Sequence, residues 1–207
     1  DTLHIRYSLK KKLLQESEDD VIAQNFTNTI KNLEATYNQI DKQKFMAIAK
    51  QIAQTKGKIY INGQRSSHAL AYMFQNMIRR VIPNTVLISD SCATEPDILM
   101  DVKGEDLLFC IFRHPYGSQT HKIIRYFCQQ EAKVLLLTDS ELNPAADKVE
   151  HQLIVNTEGV SIFTSSTSIL ALLESLNIAV LGFCESEFSD RIEKTEDLYK
   201  LFGTFCS

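Results

Sequence analysis

Short apolar segments alternate with helical patterns along most of this chain. The apolar segments cover residues 59–61, 85–88, 107–112, 134–138 and 153–155. They show little polar alternation, as is typical of strands that are buried on both faces. Buried strands separated by helices form a parallel sheet with helices on either side. The sequence therefore predicts an α/β fold, a three-layer α/β/α sandwich around a mostly parallel sheet of about five strands.

Helical patterns fill the intervals between these segments. Residues 67–81, 118–130 and 164–183 are expected to form the helices that cover the sheet. The tail over 187–202 has a further helical pattern, whose apolar stripe is too extensive for the surface of a monomer. We expect this tail to pack on a partner subunit or on its own sheet. Its stripe consists of Phe188, Ile192, Leu198, Tyr199 and Phe202.

A helical arm of two helices is expected in front of the first strand. The first helix begins near residues 17–20, which have capping-box spacing, and it should pack through an apolar stripe. Asp41 is expected to cap the second helix, which would close at Gly57 in the left-handed conformation. The two apolar faces contain Phe26, Ile30, Leu33, Tyr37 and Ile40, and then Phe45, Ile48, Ala49 and Ile52.

The first predicted strand breaks at Gly63 and runs through Ser66 and Ser67 into a helix. Such a turn leaves the first amide groups of the helix unpaired, and together with hydroxyls and the helix dipole they favour an anion. A phosphorylated small molecule is therefore the first ligand that we predict. An ordinary strand-to-helix connection is the alternative, because Gly63 is a lone glycine and not part of a G-x-G-x-x-G pattern.

Three segments should meet at the carboxyl ends of the strands, where sheets of this kind bind ligands. They are residues 63–67, 113–120 and 164–168. In the second, Arg113 suits a phosphate, and His114 and Tyr116 add a donor and a stacking surface, although its Pro and Gly would also suit a plain turn. The third holds more hydroxyls than one helix cap requires, which indicates a polar ligand.

Composition excludes several classes of protein. The formal net charge of −4 gives no general attraction for polyphosphates. The five cysteines are odd in number and lack C-x-x-C spacing, which argues against disulfides and zinc and favours reduced thiols. No apolar run is long enough for a membrane span, and no signal-peptide pattern is present. We predict a cytoplasmic protein without metal, cofactor or membrane.

Several of these stretches together resemble the sugar isomerase (SIS) domain. With the helical arm in front, the chain more particularly resembles the effector domain of RpiR-type (MurR/RpiR) bacterial transcription regulators, over about residues 20–183. The stretches are 59–67, 111–120, 132–139 (Ala-Lys-Val-Leu-Leu-Leu-Thr-Asp), 143–146 (Asn-Pro-Ala-Ala) and the hydroxyl-rich helix start at Thr164. The resemblance implies a flavodoxin-like SIS sandwich.

The resemblance also implies a function. Such a module forms a homodimer or homotetramer, binds a phosphosugar, and adjusts how a separate helix-turn-helix head grips DNA. In the family, hydroxyls of three loops hold the phosphate, which here implies Ser66 and Ser67, Ser118 and Thr120, and a third group at 164–166. The ligand-binding residues that we predict are Gly63, Gln64, Ser66, Ser67, Arg113, His114, Tyr116, Ser118, Thr120, Thr164, Ser165 and Ser166.

The loop over 112–120 departs from the serine-rich S-x-S-G-x-T pattern of many relatives. It is closer to a variant with an aromatic-basic-tyrosine loop, and Pro115 removes one amide donor. Arg113 and His114 could replace hydroxyls with charge, or the pocket could have changed its ligand or become vestigial. Two alternatives to a sensor therefore remain, a phosphosugar isomerase and a structural dimerisation domain.

We predict no catalytic residue and no enzyme activity. Isomerisation of a sugar requires a general base within hydrogen-bond reach. His114 and Glu174 are the candidates that can be placed near the pocket, and Glu174 lies among apolar residues, where an interhelical polar contact is the favoured role.

Four regions follow from the resemblance and the patterns. Residues 1–18 would be the remnant of a helix-turn-helix domain, with 3–9 resembling its last helix, and 19–56 would be the helical arm. Residues 57–183 would form the SIS domain, and 184–207 a C-terminal helix at the oligomer interface. The basic cluster of Arg6 and residues 10–12 is expected to be a solvated helix face. The alternative is that the chain was cut from a longer protein and that the cluster belongs to the part next to the cut.

Overall fold

The structure is a computed structural model that describes Ile5, Tyr7 and residues 20–88 and 94–205. The basic cluster, the predicted cap residues 17–19 and, apart from Ile5 and Tyr7, the predicted head remnant lie outside the described residues. The division of the chain at residues 18, 56 and 183 stays a prediction.

Five parallel strands form one sheet, as predicted. The strands are β1 (Ile59–Gly63), β2 (Thr85–Leu87), β3 (Leu107–Ile111), β4 (Lys133–Thr138) and β5 (His151–Ile154). They pair in the order β2-β1-β3-β4-β5, with every pair parallel. This order is the flavodoxin-like one, in which the chain adds β2 on one side of β1 and then continues on the other.

Helices cover both faces of the sheet. Those predicted between the strands are confirmed, although the last begins at Thr167 and not at Thr164. A short helix after β2 had no counterpart in the sequence patterns, and a 3₁₀ turn follows β4 at Ala146–Lys148. The helices are α1 (Val21–Gln39), α2 (Lys42–Ala53), α3 (Ser66–Ile78), α4 (Glu95–Leu99), α5 (Ser118–Gln129), α6 (Thr167–Phe183) and α7 (Glu185–Phe202).

Alternate strand residues build two separate cores. Ile59, Phe109 and Leu137 face α2, α3 and α6 on one side of the sheet. Tyr60 and Leu108, with their neighbours on β4, face α5 on the other side. Because side chains of a strand alternate between faces, a strand packed on both sides must be apolar throughout. This explains why the strands could be recognised as continuous apolar segments.

The apolar stripe predicted for α1 is present, but most of it faces away from the described part of the chain. Phe26, Ile30 and Tyr37 of its apolar stripe are 65%, 53% and 65% exposed. The face turned towards the protein carries Asn32 and Thr36, which are both buried. Periodicity marks an apolar face but does not say what covers it, and here the polar face binds the main chain of the sheet's edge.

The predicted caps of the arm are partly correct. The cap of α1 is Asp20, whose carboxylate accepts a hydrogen bond from the amide of Ala23 at 2.7 Å. Asp41 caps α2 as predicted and accepts bonds from the amides of residues 43 and 44. Gly57 does not adopt the left-handed conformation that was predicted. Among the described glycines, a positive φ is found at Gly203. A Cβ at Gly57 would instead lie 2.7 Å from the carbonyl of Glu105.

The C-terminal helix α7 is only partly packed. Phe188 lies against the core formed with α2, α3 and α6, whereas Ile192, Leu198 and Phe202 are exposed. The helix is anchored by Arg191, whose guanidinium donates to the carbonyls of residues 79 and 80. Within the described part of the chain, no single helix has the length and apolar character to cross a membrane. Taken together, α6 and α7 have that length and apolar character, but the pair is bent by 112°.

Candidate functional site

A cavity of about 430 Å³ opens at the carboxyl ends of β1 and β3. Gly63 and Ile111 are register partners, so the segments that follow these two strands emerge side by side. The chain order reverses between these strands, and such a crevice is where open parallel sheets bind ligands. The lining residues are Gln64, Arg65, Ser66, Ser67, Ile111, Phe112, Arg113, His114, Pro115, Gly117, Thr120, Ile162, Phe163 and Thr164.

Arg113 joins the three segments that were predicted to meet. Its Nε donates to Ser67 Oγ at 3.1 Å, and one terminal nitrogen donates to Ser66 Oγ at 2.9 Å. The other terminal nitrogen donates to Thr164 Oγ1 at 2.7 Å. The planar guanidinium suits this arrangement because its donors point in fixed and different directions.

The charge of Arg113 is nearly buried. The residue is 8% exposed, and among the described residues no carboxylate forms an ion pair with it. Burial lowers the pKa of its guanidinium, and the more distant Asp139 carboxylate partly opposes that change. The group nevertheless stays protonated at neutral pH, as arginine does in proteins. A desolvated cation without an anionic partner favours an anion in the cavity.

The cluster around Arg113 offers donors. A hydroxyl that accepts a bond from the guanidinium still has its own hydrogen to donate, and the guanidinium has five N–H groups, of which three are used. Arg65, an exposed second guanidinium, also lines the cavity. Its φ of 56° is a sparsely populated conformation for a residue other than glycine, of the kind that occurs at functional sites.

Asp139 holds the loop that carries Arg113. Its carboxylate accepts a bond from the amide of His114 at 3.0 Å and a bond from the hydroxyl of Tyr116 at 3.0 Å. Burial, followed by the charge of Asp139, raises the pKa of Tyr116 to about 12. The Tyr116 ring packs on Phe112 with 4.9 Å between centroids. Tyr116 therefore holds the loop in place through its contacts with Asp139 and Phe112, and it does not line the cavity.

Gln64 ties the first loop to the start of α5. Its Oε1 accepts bonds from the amide and hydroxyl of Thr120 at 3.2 and 3.1 Å. Its Nε2 donates to Glu95, a carboxylate that also accepts a bond from Gln119 and is 2% exposed. The hydroxyl of Thr120 is thus engaged with Gln64, which differs from the expected role of holding a phosphate.

Of the twelve predicted ligand residues, the structure places seven in the lining of the cavity and five outside it. Seven line the cavity: Gln64, Ser66, Ser67, Arg113, His114, Thr120 and Thr164. Gly63 lies beneath them, where a Cβ would be 2.5 Å from the carbonyl oxygen of Ser67. Tyr116, Ser118, Ser165 and Ser166 lie outside the lining.

Helix capping does not account for the hydroxyls at 164–168. The cap of α6 is Ser166, whose side chain makes no capping bond within the described residues. Thr164 Oγ1 accepts from Arg113 instead. The surplus hydroxyls therefore include one that belongs to the cavity.

Four contributors were not predicted from the sequence. Arg65 and the apolar pair Ile162 and Phe163 line the cavity, and Asp139 tethers its loop. Asp139 follows the carboxyl end of the neighbouring strand, which was the available signal. The 72% exposure of Phe163 at the cavity edge had no sequence signal.

Metal binding and thiol chemistry receive no support from the geometry. Across residues 20–88 and 94–205, no three or more His, Cys, Asp or Glu side chains are grouped to hold a metal ion. Cys110 is fully buried in β3, and burial raises the pKa of its thiol. Cys184 is also buried and Cys128 is half-buried, and within the described residues none of these three thiols forms a disulfide.

Comparison with known proteins identifies the fold. The family model described as "SIS domain" matches residues 51–181. No curated protein sequence matches the chain. The sugar isomerase domain of an RpiR transcription factor from Sphaerobacter thermophilus aligns with a TM-score of 0.81 at 21% identity, covering 86% of this chain and 99% of that one.

Two further solved structures share the fold. The Vibrio vulnificus NanR protein, complexed with ManNAc-6P, aligns with a TM-score of 0.73 at 16% identity, covering 91% of this chain and 72% of that one. The phosphoheptose isomerase GmhA from Neisseria gonorrhoeae aligns with a TM-score of 0.65 at 16% identity, covering 81% and 99%. At these identities the similarity is one of fold.

Proposed function

The chain belongs to the SIS domain family, and on that premise we propose that it is the ligand-sensing and oligomerisation domain of an RpiR-type transcription regulator. Its ligand is a phosphorylated sugar or sugar derivative bound in the cavity beyond β1 and β3. Binding adjusts the grip on DNA of a separate helix-turn-helix head. This places the protein in the cytoplasm, where its operator DNA lies.

The observation that carries this proposal is the Arg113 cluster. A buried guanidinium, three hydroxyls and a second guanidinium at Arg65 surround the cavity. Within the described residues, the lining contains no Asp or Glu side chain. A donor-rich cavity of this kind favours a phosphate dianion, because its three oxygens accept hydrogen bonds and its charge is opposite to that of the guanidinium groups.

The same cavity favours a sensor over an isomerase. His114 is the candidate base that lies in the described lining, whereas Glu174, the other candidate, is exposed on α6 and lies outside it. Proton transfer between neighbouring sugar carbons requires a positioned base and a shuttle. An isomerase remains the second candidate because His114 lines the cavity and GmhA shares the fold.

A second copy of the chain is the partner that we propose for the outer face of α1. Ile22, Phe26 and Ile30 are spaced four residues apart and are all more than half exposed. An apolar helix face of this kind is uncommon on a monomer. A regulator that reads DNA through paired heads also needs a dimer or tetramer.

Thermal denaturation against a ligand panel tests the proposed function. The panel contains sugar phosphates, amino-sugar phosphates and the same sugars without phosphate. A ligand at a hundred times its dissociation constant adds about 2.7 kcal/mol, which should raise the Tm of a domain of this size by roughly 5 to 10 °C. We expect a shift with at least one phosphorylated member and none with its unphosphorylated counterpart.

Turnover of each stabilising ligand separates the two candidate functions. A stabilising phosphosugar that is recovered unchanged after long incubation supports a sensor. Interconversion of aldose and ketose phosphates would establish the isomerase instead. A panel without any stabilising phosphosugar would contradict both.

A further inference from the structure

The inner face of α1 carries a stripe of four polar side chains. Asn28, Asn32, Thr36 and Gln39 follow one another at intervals of four, four and three residues, so they lie on one side of the helix. We call these four residues the polar stripe. The two residues of α1 that are buried, Asn32 and Thr36, both belong to it.

Every member of the polar stripe bonds to the main chain of residues 154–158. Asn28 Nδ2 and Asn32 Nδ2 each donate to the carbonyl of Glu158 at 2.7 Å. The amide of Asn156 donates to Thr36 Oγ1 at 2.9 Å, and Gln39 Nε2 donates to the carbonyl of Ile154 at 3.1 Å. The stripe therefore fixes the course of the backbone just after β5.

This backbone continues directly into the wall of the cavity. The amide of Ser165 donates to the carbonyl of Thr157 at 2.9 Å, which closes residues 157–165 into a loop. Gly159 lies so close to Phe163 that a Cβ would overlap the Phe163 carbonyl group. Ile162, Phe163 and Thr164 of the same loop line the cavity, and Thr164 bonds to Arg113.

We infer that Asn28 and Asn32 are positioning residues for this cavity wall, and that they link ligand occupancy to the seating of α1. The positioning rests on the structure alone, whereas the link to a ligand rests on the proposed function. The link is reciprocal: a ligand that binds better when the loop is seated on α1 must also stabilise that seating. In chain order, α1 lies between the proposed DNA-binding head and the sheet. It is therefore the element through which occupancy of the cavity would affect that head.

The contact between α1 and residues 154–158 is mainly polar, and for this reason α1 is the element that can move when a ligand binds. Within its own subunit, α1 is held mainly by polar bonds and by few buried apolar side chains, so it can shift against the loop, together with a partner on its outer face, without unfolding the core. Leu33 and Ile40 are only partly buried, and the more apolar face of the helix points outwards. A coupled element needs two accessible arrangements, which a firmly packed helix would not have.

Hydrogen–deuterium exchange of the chain without ligand tests the positioning. The variant Asn28→Ala with Asn32→Ala removes both bonds to Glu158, and Asn25→Ala with Asn38→Ala is a matched control, since both of those asparagines are exposed on the same helix. We expect amides of residues 157–165 to exchange at least about fivefold faster in the first variant, since one hydrogen bond contributes about 1 kcal/mol and two are removed. The control and the amides of β3 should be unchanged.

Thr36→Val provides a second variant of nearly equal volume, in case the double variant folds poorly. It removes the acceptor of the Asn156 amide, whose exchange should accelerate. Unchanged exchange in residues 156–165 in both variants, with β3 protected as in the parent, would overturn the inference.

Inorganic phosphate serves as the probe for the link. Saturating phosphate should slow exchange in both residues 157–165 and α1 of the parent, and the double asparagine variant should lose the effect in α1 while keeping it in the loop. Slowing of the loop without any effect on α1 of the parent would overturn the link and leave the proposed function intact. Phosphate that changes exchange nowhere would instead count against the proposed function, and the ligand-free comparison would then decide the positioning by itself.

Discussion

Arg113 carries a positive charge in a nearly buried position, and its surroundings decide what the cavity can hold. Three hydroxyls accept its hydrogen bonds, but hydroxyls do not neutralise a charge. Buried charges in proteins are usually paired, because desolvation of a lone ion is costly. A bound phosphate would supply the missing countercharge, which connects the composition of the cavity to its proposed ligand.

Replacing Arg113 tests this role at the scale of one side chain. Arg113→Ala should weaken binding of a stabilising sugar phosphate by about 10-fold to 150-fold, since charge-assisted hydrogen bonds contribute about 1.5 to 3 kcal/mol. Calorimetric titration measures the change. Arg125→Ala, on the exposed face of α5, is the control and should bind as the parent does. Equal affinity in the two variants would remove Arg113 from the site.

Ser66→Ala with Ser67→Ala provides an independent test of the first loop. The two hydroxyls lie on the same side of the guanidinium, and their loss should abolish the thermal shift with a sugar phosphate because their donors are lost. Size-exclusion chromatography with light scattering should show an unchanged oligomer. An unchanged thermal shift would show that this loop does not hold the phosphate.

Tyr116 gives a pH signature of the loop that Asp139 holds. Its pKa is raised to about 12 by burial and by Asp139, so the Tyr116 hydroxyl stays protonated to a higher pH in the folded state than in the unfolded state. The corresponding stability is complete below pH 10 and is lost as the pH rises towards 12. Denaturant unfolding at pH 9 and pH 11 should show a smaller decrease for Tyr116→Phe than for the parent. Identical decreases would mean that Tyr116 titrates normally.

Residue types were predictable at the site, but their partners were not. Gly63, Ser66, Ser67 and Arg113 follow strand ends, and in a parallel sheet strand ends mark the binding edge. The sequence does not encode that Arg113 would bond to hydroxyls of two other segments, or that Gln64 would engage Thr120. Those pairings depend on side-chain geometry between segments about 50 residues apart.

At the scale of elements, the passage from β1 to α3 depends on the missing side chain of Gly63. A Cβ there would approach the carbonyl oxygen of Ser67 to 2.5 Å, whereas one at Gly182 in α6 would meet nothing within 4 Å. Gly63→Ala should therefore destabilise the fold by about 1 to 3 kcal/mol, as overpacking does. Gly182→Ala should stabilise it by about 0.5 to 1 kcal/mol through helix propensity. Urea unfolding measures both, and changes of equal sign would contradict the structure.

Strands and connecting helices were predictable because their burial imposes a pattern. Strands covered on both faces are continuously apolar, and this condition located all five to within about two residues. The face of α1 was not predictable in the same way. Its apolar stripe is real, but the polar stripe at Asn28, Asn32, Thr36 and Gln39 is equally periodic, and only the neighbouring backbone determines which one turns inwards.

At the scale of the molecule, the order of the strands places the cavity. The chain leaves β1 in one direction towards β2 and returns to add β3 on the other side, so the loops after β1 and β3 diverge and leave a crevice. Arg113 crosses this crevice from the β3 side and reaches the hydroxyls of the β1 side. Topology thus sets the position of the site, and the side chains set its chemistry.

The outer face of α1 predicts assembly. Phe26→Glu with Ile30→Glu should convert the parent oligomer into a smaller species, because two charges would have to be buried at the interface. Sedimentation velocity gives the mass. Leu142→Glu is the control, since Leu142 is 93% exposed between β4 and β5. A parent chain that sediments as a monomer would contradict the proposed assembly.

The proposed function depends most on where a phosphate binds, which a crystal structure of the chain with a stabilising sugar phosphate would show directly. We predict phosphate oxygens about 2.7 to 3.2 Å from the Arg113 guanidinium and from the hydroxyls of Ser66, Ser67 or Thr164. A phosphate bound elsewhere, with Arg113 still bonded to the three hydroxyls and to nothing else, would contradict it.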